Sequence, residues 1–178
     1  VAIVEAMRAG NLNAEVKLLV YNNPGAKVAD RAAEFGIPSQ LINHRDFPTR
    51  EALDSEIVTQ LNSAGVEWVV MAGWMRIVTP VLINAFADRL LNIHPSLLPS
   101  FRGIRAVEQA LEAGVKVAGC TVHLVVPEVD AGRIIMQAAV PVLPNDTVET
   151  LQNRIHQQEH VIYPLAIALA TGTGMPVK

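Results

Sequence analysis

Short apolar runs rich in β-branched residues alternate along this chain with segments whose apolar residues recur at helical spacing, most of them closed by a glycine. That alternation constrains the fold more than any other feature, because strands separated by helices pair in parallel and carry those helices on the sheet faces. Residues 14–21 (AEVKLLVY) read as a strand stopped by the turn signal Asn22-Asn23-Pro24-Gly25, and residues 26–35 as a helix ending at Gly36 with Pro38 beyond. The pattern repeats with a short strand at 40–42, a helix at 50–64 closed by Gly65, and a nearly continuous apolar strand at 66–72, the kind buried on both faces. Thr79 and Pro80 open another helix as N-cap and first helical residue, and residues 90–94 form the next strand. A helix at 104–113 ends at Gly114, strands follow at 117–126 and 133–140, and Asp146 caps a helix running from Thr147 to about Ala170. The expectation is a doubly wound α/β domain: a mostly parallel sheet, helices on both faces, and an antiparallel or mixed addition from the last two strands. No repeat, low-complexity tract or linker divides residues 1–178, so one domain is expected. The opening helix at residues 1–8, ended by Gly10, has no strand and loop before it, and the first residue is Val1, so the chain is expected to begin after the first strand of its fold.

The 178 residues suit a single core. With 17 acidic and 14 basic side chains and a formal charge of −3, the chain offers no basic field for a long polyanion, so no nucleic-acid partner is expected, while a small anionic substrate stays allowed. The most apolar stretch, residues 66–87, is broken by Glu67, Arg76 and Pro80 and falls short of the about 20 apolar residues of a membrane span. A lone cysteine, Cys120, excludes an intrachain disulfide framework and a multi-thiolate zinc site, which points to a reducing compartment, the cytoplasm.

Ligands of open α/β sheets sit beyond the carboxyl ends of the strands, so polar residues at strand ends are where chemistry is sought. In Leu91-Asn92-Ile93-His94-Pro95 the period of two puts Asn92 and His94 on one side of a strand, and Pro95 ends the ladder. An amide and an imidazole then point at one spot; the plainer reading is a turn asparagine and a histidine bonded to a loop carbonyl. Asp130 precedes a small-residue turn between two strands, as an ordinary loop carboxylate or as the partner that would stabilise an imidazolium at His94 and hold the ring. Thr121 and His123 share a strand face and are supporting or simply buried.

His156-Gln157-Gln158-Glu159-His160 matches the H-x-x-E-H pattern of inverted zincins, but zinc needs a third ligand and no acidic motif follows on this helix, so no metal is expected. The stretch Ala72-Gly73-Trp74-Met75-Arg76-Ile77-Val78 sets apolar walls beside one cation, which suits a flat heteroaromatic ligand bearing a carboxylate, or else is a buried strand end with Arg76 paired to an acid. Arg50 is a second cation for such a ligand or only a first-turn residue.

Residues 92–103 (NIHPSLLPSFRG), 72–78 (AGWMRIV), 119–123 (GCTVH) and 129–132 (VDAG), continuing through 158–164 (QEHVIYP), occur in an order that resembles the phosphoribosylglycinamide formyltransferases across nearly the whole chain. Methionyl-tRNA formyltransferase and formyltetrahydrofolate deformylase share the Asn-x-His and the Asp, but each carries a further domain for which 178 residues leave no room. The resemblance implies the formyltransferase fold and transfer of a formyl group from 10-formyltetrahydrofolate, a co-substrate, to the amino group of glycinamide ribonucleotide in purine synthesis, by a monomer or homodimer. It implies a catalytic trio of Asn92, His94 and Asp130. The implied folate pocket comprises Met75, Arg76, Ile77 and Val78, together with Asn92 and Val126, Pro127, Glu128, Val129 and Asp130; Arg50 and Arg76 would receive the glutamate carboxylate. Pro95 and Glu159 would approach the ribonucleotide. The family's glycine-rich phosphate loop has no counterpart here. A dinucleotide-dependent oxidoreductase would need such a loop with an acidic ribose partner, a zinc hydrolase would need bound metal, and a non-catalytic folate-binding module would show folate affinity without ribonucleotide-dependent turnover.

Overall fold

The computed structural model describes residues 1–173, and the last five residues of the expected domain lie outside the described residues. Helix α1 (Ala2–Arg8) leads to β1 (Leu19–Tyr21), α2 (Val28–Phe35), β2 (Ser39–Leu41), a single 3₁₀ turn (His44–Asp46) and α3 (Arg50–Ser63). Then come β3 (Val69–Met71), α4 (Pro80–Ala85), β4 (Leu90–His94), α5 (Ala106–Glu112), β5 (Val117–Leu124), β6 (Ile134–Pro141) and α6 (Val148–Thr171). Strands β1 and β2 form a parallel pair; β3, β4, β5 and β6 form a second sheet in that order. Within it β3 and β4 are parallel, and β5 and β6 add on in antiparallel fashion, as two consecutive strands joined by a hairpin must.

The helices cover both faces, and β4 shows how the sequence divides them. Leu91 and Ile93 point into a core with Cys120 and Val122 of β5 and Leu151, Ile155, Ala166 and Ile167 of α6. Leu90 points the other way, against Leu53, Ile57 and Leu61 of α3 and Leu82, Ile83 and Phe86 at α4. Asn92 and His94 share the side of Leu90, so one face of β4 begins in core and ends in polar groups.

Several boundaries differ from the sequence pattern. Strand β1 keeps only three of the eight residues expected, because its partner β2 is itself three residues long. Strand β3 is half-buried rather than buried on both faces: it is an edge strand, paired with β4 alone. Helix α6 is capped by Thr147, not Asp146: Thr147 Oγ1 accepts the Thr150 N–H at 3.2 Å in a reciprocal capping box. Asp146 instead accepts the Leu143 N–H at 2.7 Å and two bonds from Arg154 at 2.7 and 3.0 Å, which hold its carboxyl well below the usual range. Helix α5 starts at Ala106 because Arg105 takes a left-handed conformation at the N-cap.

Candidate active site

Two cross-strand rows build the site. In the first, Asn92 of β4 faces His123 of β5; in the second, His94 of β4 faces Thr121 of β5, which faces Gln137 of β6. Alternation along each strand sends these side chains to one face, while Cys120 and Val122 between them enter the α6 core. Burial there pushes the Cys120 thiol up to about 12, which leaves it an inert core residue.

The hairpin loop between β5 and β6 brings in Asp130. Its backbone is left-handed, φ 51°, and its carboxylate is nearly buried. Oδ2 accepts the Gly103 N–H at 2.8 Å and lies 3.4 Å from His94 Nδ1; Oδ1 lies 3.5 Å from His123 Nε2. Burial alone would raise its pKa, but the hydrogen bond with His123, the Gly103 N–H and the two imidazoles outweigh burial and hold the carboxyl below its ordinary value. Asp130 is thus a carboxylate at neutral pH.

His94 is anchored from its other nitrogen. Nε2 donates to the Phe101 carbonyl at 2.8 Å, a tighter contact than the one to Asp130, so the backbone rather than the carboxylate sets the ring. That leaves Nδ1 as the working nitrogen, at a distance from Asp130 loose enough for a substrate atom to compete. His123 Nδ1 donates to the Leu124 carbonyl at 2.9 Å, and its Nε2 stands between the Asn92 amide at 3.4 Å and the Asp130 carboxylate at 3.5 Å. The Asn92 amide carries two N–H groups, so at least one is left to offer. The three residues singled out from sequence therefore stand together, joined by His123.

The parallel neighbour of Asn92 is Met71, the last residue of β3, so the 72–78 loop leaves the sheet beside the site. Met75 and Ile77 on that loop are 87% and 59% exposed, and Val126 and Val129 of the Asp130 loop 37% and 45%, an apolar rim around a polar centre. Among the described residues Trp74 Nε1 and Arg76 Nε are buried donors without a partner, so the internally paired Arg76 of the plainer reading is not found there. These features fit a flat ligand carrying acceptor groups.

Asp54, which sequence reasoning missed, lies buried on α3 and accepts the Thr79 N–H at 2.6 Å. It ties α3 to the end of the 72–78 loop, and exposed Arg50 lies one turn earlier on the same helix. Pro127 and Glu128 are exposed in the Asp130 loop, where Glu128 pairs with Arg102 at 2.8 Å. Val78 and Pro95 are half-buried next to their expected partners in sequence. Glu159 is not joined to the trio: it lies on α6, 3.7 Å from His156 Nε2, and burial raises its pKa. Among the described residues no group of three or more His, Cys, Asp or Glu side chains could hold a metal ion, and no helix is long and apolar enough to cross a membrane.

Residues 1–167 match the family described as formyl transferase. The chain is 44% identical to the phosphoribosylglycinamide formyltransferase of Bacillus subtilis (strain 168) over 171 residues, covering 96% of this chain and 88% of that protein. It is 49% identical over 170 residues to the trifunctional purine biosynthetic protein adenosine-3 of Drosophila pseudoobscura pseudoobscura, covering 94% of this chain but only 12% of that much longer relative. Among solved structures, glycinamide ribonucleotide transformylase 1 from Symbiobacterium toebii superposes with a TM-score of 0.94 at 46% identity, over 96% of this chain and 81% of the other.

Proposed function

We propose that this chain, which belongs to the formyl transferase family and within it to the phosphoribosylglycinamide formyltransferases, transfers a formyl group from 10-formyltetrahydrofolate to the amino group of glycinamide ribonucleotide. The observation that carries the reading is the junction of Asn92, His94 and Asp130 at the carboxyl end of β4, inside an apolar rim. The folate co-substrate supplies an electrophilic formyl carbon. Negative charge develops on the formyl oxygen as the uncharged glycinamide amine attacks, and the free Asn92 N–H together with a proton on His94 Nδ1 stabilises it. As the new C–N bond forms and the old one breaks, the amine gives up a proton and the departing folate nitrogen gains one. Asp130, ionised and 3.4 Å from Nδ1, is placed to hold that proton between the two events.

The exposed faces of Met75, Ile77, Val126 and Val129 would sandwich the pterin, with Pro127, Glu128 and Val78 lining its edge. The unpartnered Arg76 Nε and the guanidinium of Arg50 would meet the glutamate carboxylate, and Pro95 and Glu159 the ribonucleotide. The test is to incubate the protein with 10-formyl-5,8-dideazafolate and glycinamide ribonucleotide and follow the deformylated product by absorbance. Release that depends on the ribonucleotide and collapses in His94→Ala supports the transferase; release without ribonucleotide makes the chain a deformylase.

A further inference from the structure

Beyond the trio, the second cross-strand row ends in two residues with no part in the chemistry so far. Thr121 is fully buried and its hydroxyl is saturated: it donates to the Ser96 carbonyl at 2.7 Å and accepts from the Leu98 N–H at 3.0 Å and from Gln137 Nε2 at 2.9 Å. Gln137 Nε2 also donates to the Leu98 carbonyl at 3.1 Å. Both backbone groups of Leu98 and the carbonyl of Ser96 are thus held by side chains of β5 and β6. Leu97, between them, lies over Gly119, where a Cβ would come within 2.8 Å of its side chain.

The turn held in this way runs directly into the catalytic anchor. Ser96 Oγ donates to the Ser100 carbonyl at 2.6 Å, and the next carbonyl, that of Phe101, accepts from His94 Nε2. Two residues on, the Gly103 N–H is the tight bond to Asp130. Phe101, a non-glycine residue, has a positive φ of 56°, so this segment keeps its course through the contacts at its ends rather than by its own preference. Gln137 lies exposed on an edge strand, where an idle polar side chain would extend into solvent; its amide turns inward instead.

We propose that Gln137 and Thr121 are positioning residues for formyl transfer: through the 96–103 loop they fix the Phe101 carbonyl on His94 and the Gly103 N–H on Asp130, and so set which imidazole nitrogen faces the substrate. The proposal rests on the transferase reading above. Loss of the Gln137 amide lets the turn relax, frees Nε2, and misplaces Nδ1 without touching either substrate.

The experiment compares wild type with Gln137→Leu, Thr121→Val and Thr121→Ser by kcat and KM for both substrates, by melting temperature, and by the downfield imidazole N–H resonance of His94 in ¹⁵N-edited NMR. Gln137→Leu is expected to lower kcat about tenfold with each KM within about twofold, because small misplacements of a reacting group act on turnover. Its melting temperature stays near that of wild type, since the side chain lies at the surface, and the His94 resonance shifts or broadens. Thr121→Val falls further, and Thr121→Ser, which keeps the hydroxyl, recovers most of that loss. Wild-type kcat together with an unmoved His94 resonance in Gln137→Leu overturns the proposal, as do equal losses in Thr121→Val and Thr121→Ser, which mark packing rather than the hydroxyl. If wild type transfers no formyl group, the function fails, but the NMR comparison still decides the network: a His94 resonance indifferent to Gln137→Leu refutes it.

Discussion

His94 has an acceptor at each ring nitrogen, the Phe101 carbonyl at Nε2 and the Asp130 carboxylate at Nδ1, whereas a neutral imidazole has one N–H to give. The second proton of an imidazolium satisfies both, and that Nδ1–H is the donor the proposed transfer calls on. His94→Ala and Asn92→Ala are each expected to lower kcat by about 10²–10³, and His94→Ala to do so while folate binding, measured by fluorescence titration, changes little; comparable losses of turnover and folate affinity in His94→Ala would remove it from the chemistry. Asp130 also ties the site to acid stability. Its folded pKa lies below its ordinary value, so it contributes stability above the unfolded pKa that is lost as pH falls through the folded one. Asp130→Asn should therefore be less stable than wild type at pH 7, with the gap in urea midpoints narrowing below about pH 4; a gap constant down to pH 2 would deny the carboxylate that role. The trio was legible in sequence because Asn92 and His94 share a strand face just before Pro95, and Asp130 sits beside a small-residue turn. The Phe101 carbonyl and Gly103 N–H were not, because backbone groups carry no residue signature and the left-handed turns at Phe101 and Asp130 use residues other than glycine.

Elements position these groups through a few close approaches. At Gly119 a Cβ would fall 2.0 Å from the Ala138 carbonyl and 2.8 Å from Leu97, so β5, β6 and the loop after His94 meet where only hydrogen fits. Gly119→Ala should cost about 1–3 kcal/mol by chemical denaturation and lower kcat as the loop is displaced; an unchanged denaturation midpoint would mean the strands part without penalty. Helix α3 acts on the end of the 72–78 loop, where the folate is proposed to bind, through Asp54, whose carboxylate holds the N-cap residue of α4. Asp54→Ala is expected to raise KM for the folate substrate severalfold with a smaller effect on kcat, and a KM effect confined to the ribonucleotide would separate α3 from the folate loop. Strands β4, β5 and β6 and the helix ends were readable from alternation and glycine stops, and Thr79-Pro80 gave α4 its beginning. Thr147 was overlooked in favour of Asp146 because both are capping residues and only the fold shows that Arg154 claims the aspartate.

At the scale of the molecule, the described residues form two sheets and two cores, a division that the sequence pattern of one continuous alternation does not announce. Strands β4 and β5 are paired on both sides, with Leu90, Leu91, Cys120, Thr121 and Val122 at most 1% exposed. Strands β1, β2 and β3 are short, each paired on one side, and mostly half-buried. A hydrogen bond joins the two regions: the hydroxyl of Tyr163, on α6 in the first core, donates to the carbonyl of Met71, a side chain of the second, at 2.5 Å. Burial pushes the phenol far above its ordinary pKa, and the negative charge of Glu159 adds to the shift, so the hydroxyl is a donor at neutral pH. Tyr163→Phe keeps the ring and leaves the Met71 carbonyl without this donor, a loss of about 1–3 kcal/mol. Because β3 is also the strand that launches the 72–78 loop, that loss should appear locally before it appears globally. Hydrogen exchange followed by mass spectrometry should show peptides spanning 69–78 exchanging faster in Tyr163→Phe, with 117–124 remaining the slowest region in both proteins. An equal acceleration of both regions would mean that the two cores open as one unit, and that the carboxyl end of β3 is held by the sheet rather than by the helix behind it.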